Sequence, residues 1–145
     1  MSLFSVLSVS SSGMAAQRVR SEVLVENIAN SETTRTPGGG PYRRKDVVFS
    51  SEPVVSPFAS ELNNQLQGAP MGVKVSGITV DNSEPERRYM PGHPDADGDG
   101  YVKVPRVNAA EDMVDLMSAS RSYQANVSAM SAIKDMIQHS IDLLR

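Results

Sequence analysis

Residues 108–145 read NAAEDMVDLMSASRSYQANVSAMSAIKDMIQHSIDLLR, a run with no proline and no glycine. Steps of three and four from Met113 pass through Leu116, Ser120, Tyr123, Val127, Met130, Lys134, Ile137, Ile141 and Leu144, and eight of these ten positions are apolar. An apolar stripe with that spacing is the pattern of a helix that lies along another helix. Asn108 offers an N-cap oxygen, Glu111 stands three residues on as in a capping box, and Asp112 suits the positive end of the helix dipole. The pattern predicts one helix from Asn108 to Arg145, about 55 Å long at about 1.5 Å per residue.

A partner of the same period stands at the other end of the chain. Leu3, Leu7, Ser10, Met14, Gln17, Ser21, Leu24 and Ile28 follow the same steps, although only five of the eight are apolar. The run from Ser8 to Gly13 is a poor helix on its own, because serine competes for its own backbone and glycine costs about 1 kcal/mol against alanine. That segment needs neighbours to be helical. Between the two arms the composition changes: all nine prolines fall between Pro37 and Pro105, and nine of the ten glycines between Gly38 and Gly100. The expected fold is therefore α+β, with long N- and C-terminal helices pairing as a coiled coil and a small loop-rich β insert between them. The expected division is 1–30 for the first helix, 31–106 for linker and insert, and 107–145 for the second helix.

Inside the insert, the end of YRRKDVVF (42–49) has strand character, and MGVKVSGITV (71–80) alternates apolar and polar residues up to Gly77, where the phase shifts. RRYM and YVKV are two further short strands. Ser56–Gln67 carries Phe58, Leu62 and Leu66 at helical spacing, with Gly68 and Pro70 to end a short helix.

DADGDGY (95–101) resembles the first half of a calcium loop, but its register fails. With Asp95 at position 1, Lys103 takes position 9 and Arg106 takes position 12, where a bidentate glutamate belongs. Pro94 and Pro105 also forbid the flanking helices. The expected structure is a tight turn with both glycines at positive φ, feeding the YVKV strand. Gly38–Gly40 lead into Pro41 and not into a helix, so they do not form a phosphate cradle. His93 and His139 stand in no spacing that suits a metal pair or a nucleophile triad, and the chain has no cysteine. No catalytic, cofactor or metal residue is expected. A net charge of −3 gives no attraction for nucleic acid, despite the basic clusters Arg43–Lys45 and Arg87–Arg88 beside Tyr42 and Tyr89. The first residues, MSLFSVLSVSSSGMAAQ, lack the basic start and unbroken apolar run of a cleaved signal, and no apolar run is long enough to span a bilayer.

Val6, Val9, Val19, Val23, Val114, Ala119, Ala125, Ala132, Ile133 and Met136 lie off the expected seam, and two helices bury only one seam between them. Each large aliphatic side chain buried is worth about 1.5–3 kcal/mol, so these faces favour assembly.

Two stretches resemble a known family. VENIANSETTRTPGGGPYRRKDVVF (25–49), with Asn27, Ala29, Asn30 and Thr33, is similar to the region that ends the first helix in the axial proteins of the bacterial flagellum. GYVKVPRVNAAEDMVDLMSASRSYQANVSAM (100–130), with Ala119, Arg121, Tyr123, Ala125 and Asn126, resembles the start of their last helix. The length and the turn before Tyr101 resemble the proximal-rod members. The resemblance implies a structural, non-enzymatic subunit of the periplasmic rod of the basal body, transmitting torque. It implies terminal helices packed around an axial channel, and passage through the flagellar export apparatus without a cleaved signal. Implied partners are copies of itself, other rod proteins, the inner-membrane ring or its adaptor, and the distal rod. The expected assembly interface is then Leu3, Leu7, Met14, Leu24, Ile28 and Asn30 on the first arm. On the second arm it is Met113, Leu116, Tyr123, Val127, Met130, Ile137, Ile141 and Leu144. The competing reading is an adaptor or binding module whose helical hairpin holds one helix of a partner.

Overall fold

The computed structural model describes residues 3–54 and 70–143. Its elements run α1 (Leu3–Ala29), β1 (Lys45–Pro53), β2 (Met71–Val80), β3 (Glu86–Tyr89), β4 (Tyr101–Val104) and α2 (Ala109–Asp142). The chain is thus α+β, with two long helices and a small β insert of two separate antiparallel pairs, β1–β2 and β3–β4. The short helix expected over Ser56–Gln67 lies outside the described residues.

The α2 helix starts where its cap chemistry directs. Asn108 has extended backbone angles, and its side-chain oxygen accepts from the backbone N–H groups of Ala110 and Glu111, which have no partner within the helix. At 34 residues the helix is about 51 Å long. α1 packs on α2 along one side and on the β1–β2 hairpin along another. This arrangement answers the serine problem. Ser12 Oγ donates to the carbonyl of Val9 at 2.7 Å and accepts from the N–H of Val73 in β2 at 3.1 Å. Ser10 is buried, and Gly13 lets Asn126 of α2 approach to where a β-carbon would sit 3.0 Å from its Nδ2. The helix of this segment is supported by contacts 60 and more residues away in sequence.

The residues of α2 buried within the chain are Asp112, Ala119 and Ile133, spaced by multiples of seven, and Leu116, Met130 and Ile137 beside them are half-buried. This row keeps the expected period but is displaced by one residue along half of it. Met113 and Val127 are 54% and 41% exposed. The displacement has a physical reason: small and polar residues on this line allow close approach to α1, while Asp112 meets a cation from the insert.

In the insert, Val48 pairs with Gly77 and Phe49 with Val75, so Ser76 is an extra residue. That is a β-bulge at the phase change expected near Gly77. In β4, Val102 and Val104 point inward and are buried, while Tyr101 and Lys103 face out. Of the two glycines in DGDGY, only Gly100 takes positive φ, at 79°. The expectation of two such glycines is corrected: Gly100 alone turns the chain, and its N–H donates to the carbonyl of Asp97 at 2.8 Å.

Candidate functional site at the helix junction

The C-terminal end of α1, the start of β1 and the N-terminal end of α2 meet around Asn27, which is fully buried. Its Nδ2 donates to the carbonyl of Lys45 at 2.8 Å, and its Oδ1 accepts from the N–H of Lys45 at 3.0 Å and from the hydroxyl of Tyr42 at 2.9 Å. The side-chain amide thus imitates a neighbouring strand and fixes where β1 begins. Asn30 closes the helix: its Nδ2 donates to the carbonyl of Glu26, and its Oδ1 accepts from the hydroxyl of Thr33. The chain then folds back, with the N–H of Tyr42 donating to the carbonyl of Thr33 at 3.0 Å.

A charge layer covers this lock. The guanidinium of Arg44 donates to Asp112 Oδ1 at 2.8 Å, tying the first turn of α2 to the insert, and the ammonium of Lys45 pairs with Glu26. Arg20 and Asp115 pair at 3.4 Å between the helices. Burial pushes the Asp112 carboxyl above the usual range, against the pull of Arg44 in the other direction. Burial also pushes the Tyr42 phenol up to about 12, with the negative charges of Glu26 and Asp112 adding to it.

The aspartates of the acidic turn serve as tethers. Asp95 Oδ2 accepts from the hydroxyl of Thr34 at 2.8 Å, and Asp97 pairs with Arg87 at 3.2 Å. The first bond holds the β3–β4 hairpin to the segment leaving α1, and the second braces the hairpin's own connection against β3. Among the described residues no set of three or more metal-ligating side chains converges. No described helix is long and apolar enough to cross a membrane.

The sequence-predicted interface residues fall into three groups. Leu24 is buried inside the chain, and Leu7, Met14, Ile28, Asn30, Leu116, Met130 and Ile137 are half-buried. Met113, Tyr123, Val127 and Ile141 are exposed along α2. Leu3 stands at the start of α1, and Leu144 lies outside the described residues. The residues that sequence reasoning missed are Tyr42, Arg44, Lys45 and Asp112 as one cluster. Arg44 and Asp112 are 68 residues apart, and no local pattern announces such a pair.

Comparisons with known proteins agree with this architecture. Residues 99–143, covering β4 and α2, match the family "Flagellar basal body rod FlgEFG protein C-terminal". The "Flagellar basal-body rod protein FlgC" of Borreliella burgdorferi is 42% identical, over 100% of this chain and 99% of the relative. The protein of the same description from Bacillus subtilis is 45% identical over 99% of each chain. That from Salmonella typhimurium is 38% identical, over 99% and 98%. With both helices, the junction and the insert all inside the matched length, the chain belongs to the FlgC family of flagellar basal-body rod proteins.

Proposed function

We propose that this chain builds the proximal part of the rod and transmits torque through it, with α1 and α2 paired as a coiled coil and ranged around an axial export channel. The FlgC family is structural and not enzymatic, so the reading concerns contacts alone. In it, 1–30 and 107–145 form one assembly unit, and 31–106 is an insert braced against it by the Asn27 lock. The proposed neighbours are further copies, other rod proteins, the inner-membrane ring or its adaptor, and the distal rod. The chain reaches its periplasmic place unfolded through the flagellar export apparatus, without a cleaved signal.

The observation that carries this reading is the row Met113, Val127 and Ile141, set 14 residues apart on α2 and exposed at 54%, 41% and 60%. Intrachain packing leaves this row open, and neighbours that cover it gain the burial of each side chain. Val127→Asp tests it. Val127 is exposed in the single chain, so the variant should fold like the parent. In a rod the same carboxylate becomes buried without a cation, at a cost of several kcal/mol in every copy. We expect near-normal secretion of the variant, rods that stop short, and loss of motility. Normal motility, or lost secretion with assembly intact, would contradict the assignment.

A further inference from the structure

The insert is fastened to the two helices by bonds of different kinds. At its hold on α1 the buried bonds are neutral: Asn27 bonds the N–H and carbonyl of Lys45 and the hydroxyl of Tyr42. Its hold on the first turn of α2 is a charge pair, and that pair is only half made. An arginine fork facing a carboxylate ordinarily makes two parallel bonds. Here Arg44 Nη2 donates to Asp112 Oδ1 at 2.8 Å, while Arg44 Nε and Asp112 Oδ2 are both buried with no hydrogen-bond partner among the described residues. The same Nη2 stands 3.7 Å from Asp46 Oδ1. Arg44 thus lies between two carboxylates in unlike surroundings, Asp112 with 1% of its side chain exposed and Asp46 with 54%. Water reaches the charge of Asp46 and does not reach that of Asp112.

The geometry points to an acid-released clasp: a proton taken up by Asp112 frees the Arg44 guanidinium to pair with Asp46, so that the insert lets go of the first turn of α2 while Asn27 keeps it on α1. The other charges around Asp112 leave Asp46 as the place for the cation to go. From α1, Glu26 is taken by Lys45, and Arg20 pairs with Asp115 on the next turn of α2. From the segment before β1, Tyr42 brings a phenol that is already bonded to Asn27. Across a small pocket from Arg44, Asp81 is held by Ser83, and Arg106 beside it is a second cation. Burial raises the Asp112 carboxyl above its ordinary 3.8 even though Arg44 pulls it down, and the charges of Asp46 and Asp115 add to the rise. The folded chain therefore takes up this proton more readily than the unfolded chain. The stability that Asp112 contributes grows as pH falls through its folded value, so opening the clasp does not in itself unfold the chain.

Solution NMR of the full-length chain tests the clasp. The side-chain carboxyl carbon of Asp112, the Nε–H signal of Arg44 and the backbone amide of Lys45 are followed together as pH is lowered from neutral toward the carboxylate range. Asp112 should titrate with a midpoint above 3.8, and the Arg44 signal should shift with that same midpoint. The Lys45 amide, which donates to Asn27, should not move with it. Asp112→Asn should place the Arg44 signal at its acid position already at neutral pH. Asp46→Asn removes the second carboxylate, so in that variant acid should carry the Arg44 signal to the position of a guanidinium in water, away from the parent's acid position. An Asp112 midpoint at or below 3.8, an Arg44 signal that ignores the Asp112 titration, or a Lys45 amide that moves in step with it overturns the clasp. The same acid position of Arg44 in the parent and in Asp46→Asn overturns the transfer to Asp46. Should Asp112→Asn fail to fold, the titrations of the parent and of Asp46→Asn decide without it.

Discussion

Asn27 is the best-used side chain in the molecule, with its amide oxygen accepting twice and its nitrogen donating once inside a site that excludes water. The sequence marked Asn27 only through resemblance, because its partners Tyr42 and Lys45 lie 15 and 18 residues downstream, past a glycine-proline tract that local reasoning cannot fold. Tyr42 was legible only as a neighbour of basic residues; the Lys45 ammonium does lie over its ring, and Glu26 and Asp112 add negative charge that no local pattern announced. The consequence is measurable. An unfolded tyrosine loses its proton near 10, whereas the Tyr42 phenol in the folded chain holds it to about 12. Between those values the unfolded state binds fewer protons than the folded one, so stability is lost as pH rises through the window, by up to about 3 kcal/mol. Below pH 10 this contribution is fully present. Urea denaturation at stepped pH should show the alkaline decline, and Tyr42→Phe should abolish that part of it while costing about 1 kcal/mol at neutral pH. A decline of the same size in the variant would place its source elsewhere.

At the scale of elements, α2 was legible from period and cap, α1 from period and β2 from alternation, but the facing of α2 was not. The three-four steps through Leu116, Met130 and Ile137 found one edge of the intrachain row, and the steps through Met113 and Val127 ran one residue off the other edge at Asp112, Ala119 and Ile133. The apolar stripe is wider than the seam that α1 covers, and its centre lies to one side of that seam. Sequence period records the stripe and cannot divide it. Two glycines show the same limit, since composition treats them alike and packing does not. A β-carbon at Gly13 meets the amide end of Asn126 at 3.0 Å, and that half-buried side chain can swing aside. A β-carbon at Gly72 runs into Val54 Cγ2 and meets Ser12 Oγ at 2.7 Å, where Ser12 is pinned by two hydrogen bonds. Gly13→Ala should therefore gain up to about 1 kcal/mol from helix propensity, and Gly72→Ala should lose about 1–3 kcal/mol by overpacking. Thermal melts followed at 222 nm would rank them, and equal effects would mean that α1 does not sit on β2 as described.

At the scale of the whole molecule, the buried apolar side chains among the described residues are few and unevenly placed. Val23, Leu24, Tyr42, Val102 and Val104 lie in the junction and insert, while Ala16, Ala119 and Ile133 are spread along the helices. Toward the free end, α1 between Leu7 and Ser12 buries only Ser10, and the described residues of α2 after Ile133 are at most half-buried. Opening free energy follows buried contacts, so the isolated chain should be graded, firm around Asn27 and Asp112 and loose toward Leu7 and Ile141. Assembly reverses the gradient if neighbours cover the open row on α2. Hydrogen exchange by mass spectrometry compares the two states directly. Amides near Asn27 should be protected in both, and those before Ser12 and after Ile137 should slow at least about a hundredfold in basal bodies, which is about 2.7 kcal/mol of added local stability. Uniform protection in the free chain would mean that the intrachain contacts suffice for both arms. The exposed residues of α2 would then be ordinary solvent-facing surface, and assembly would have to draw its energy from the β insert.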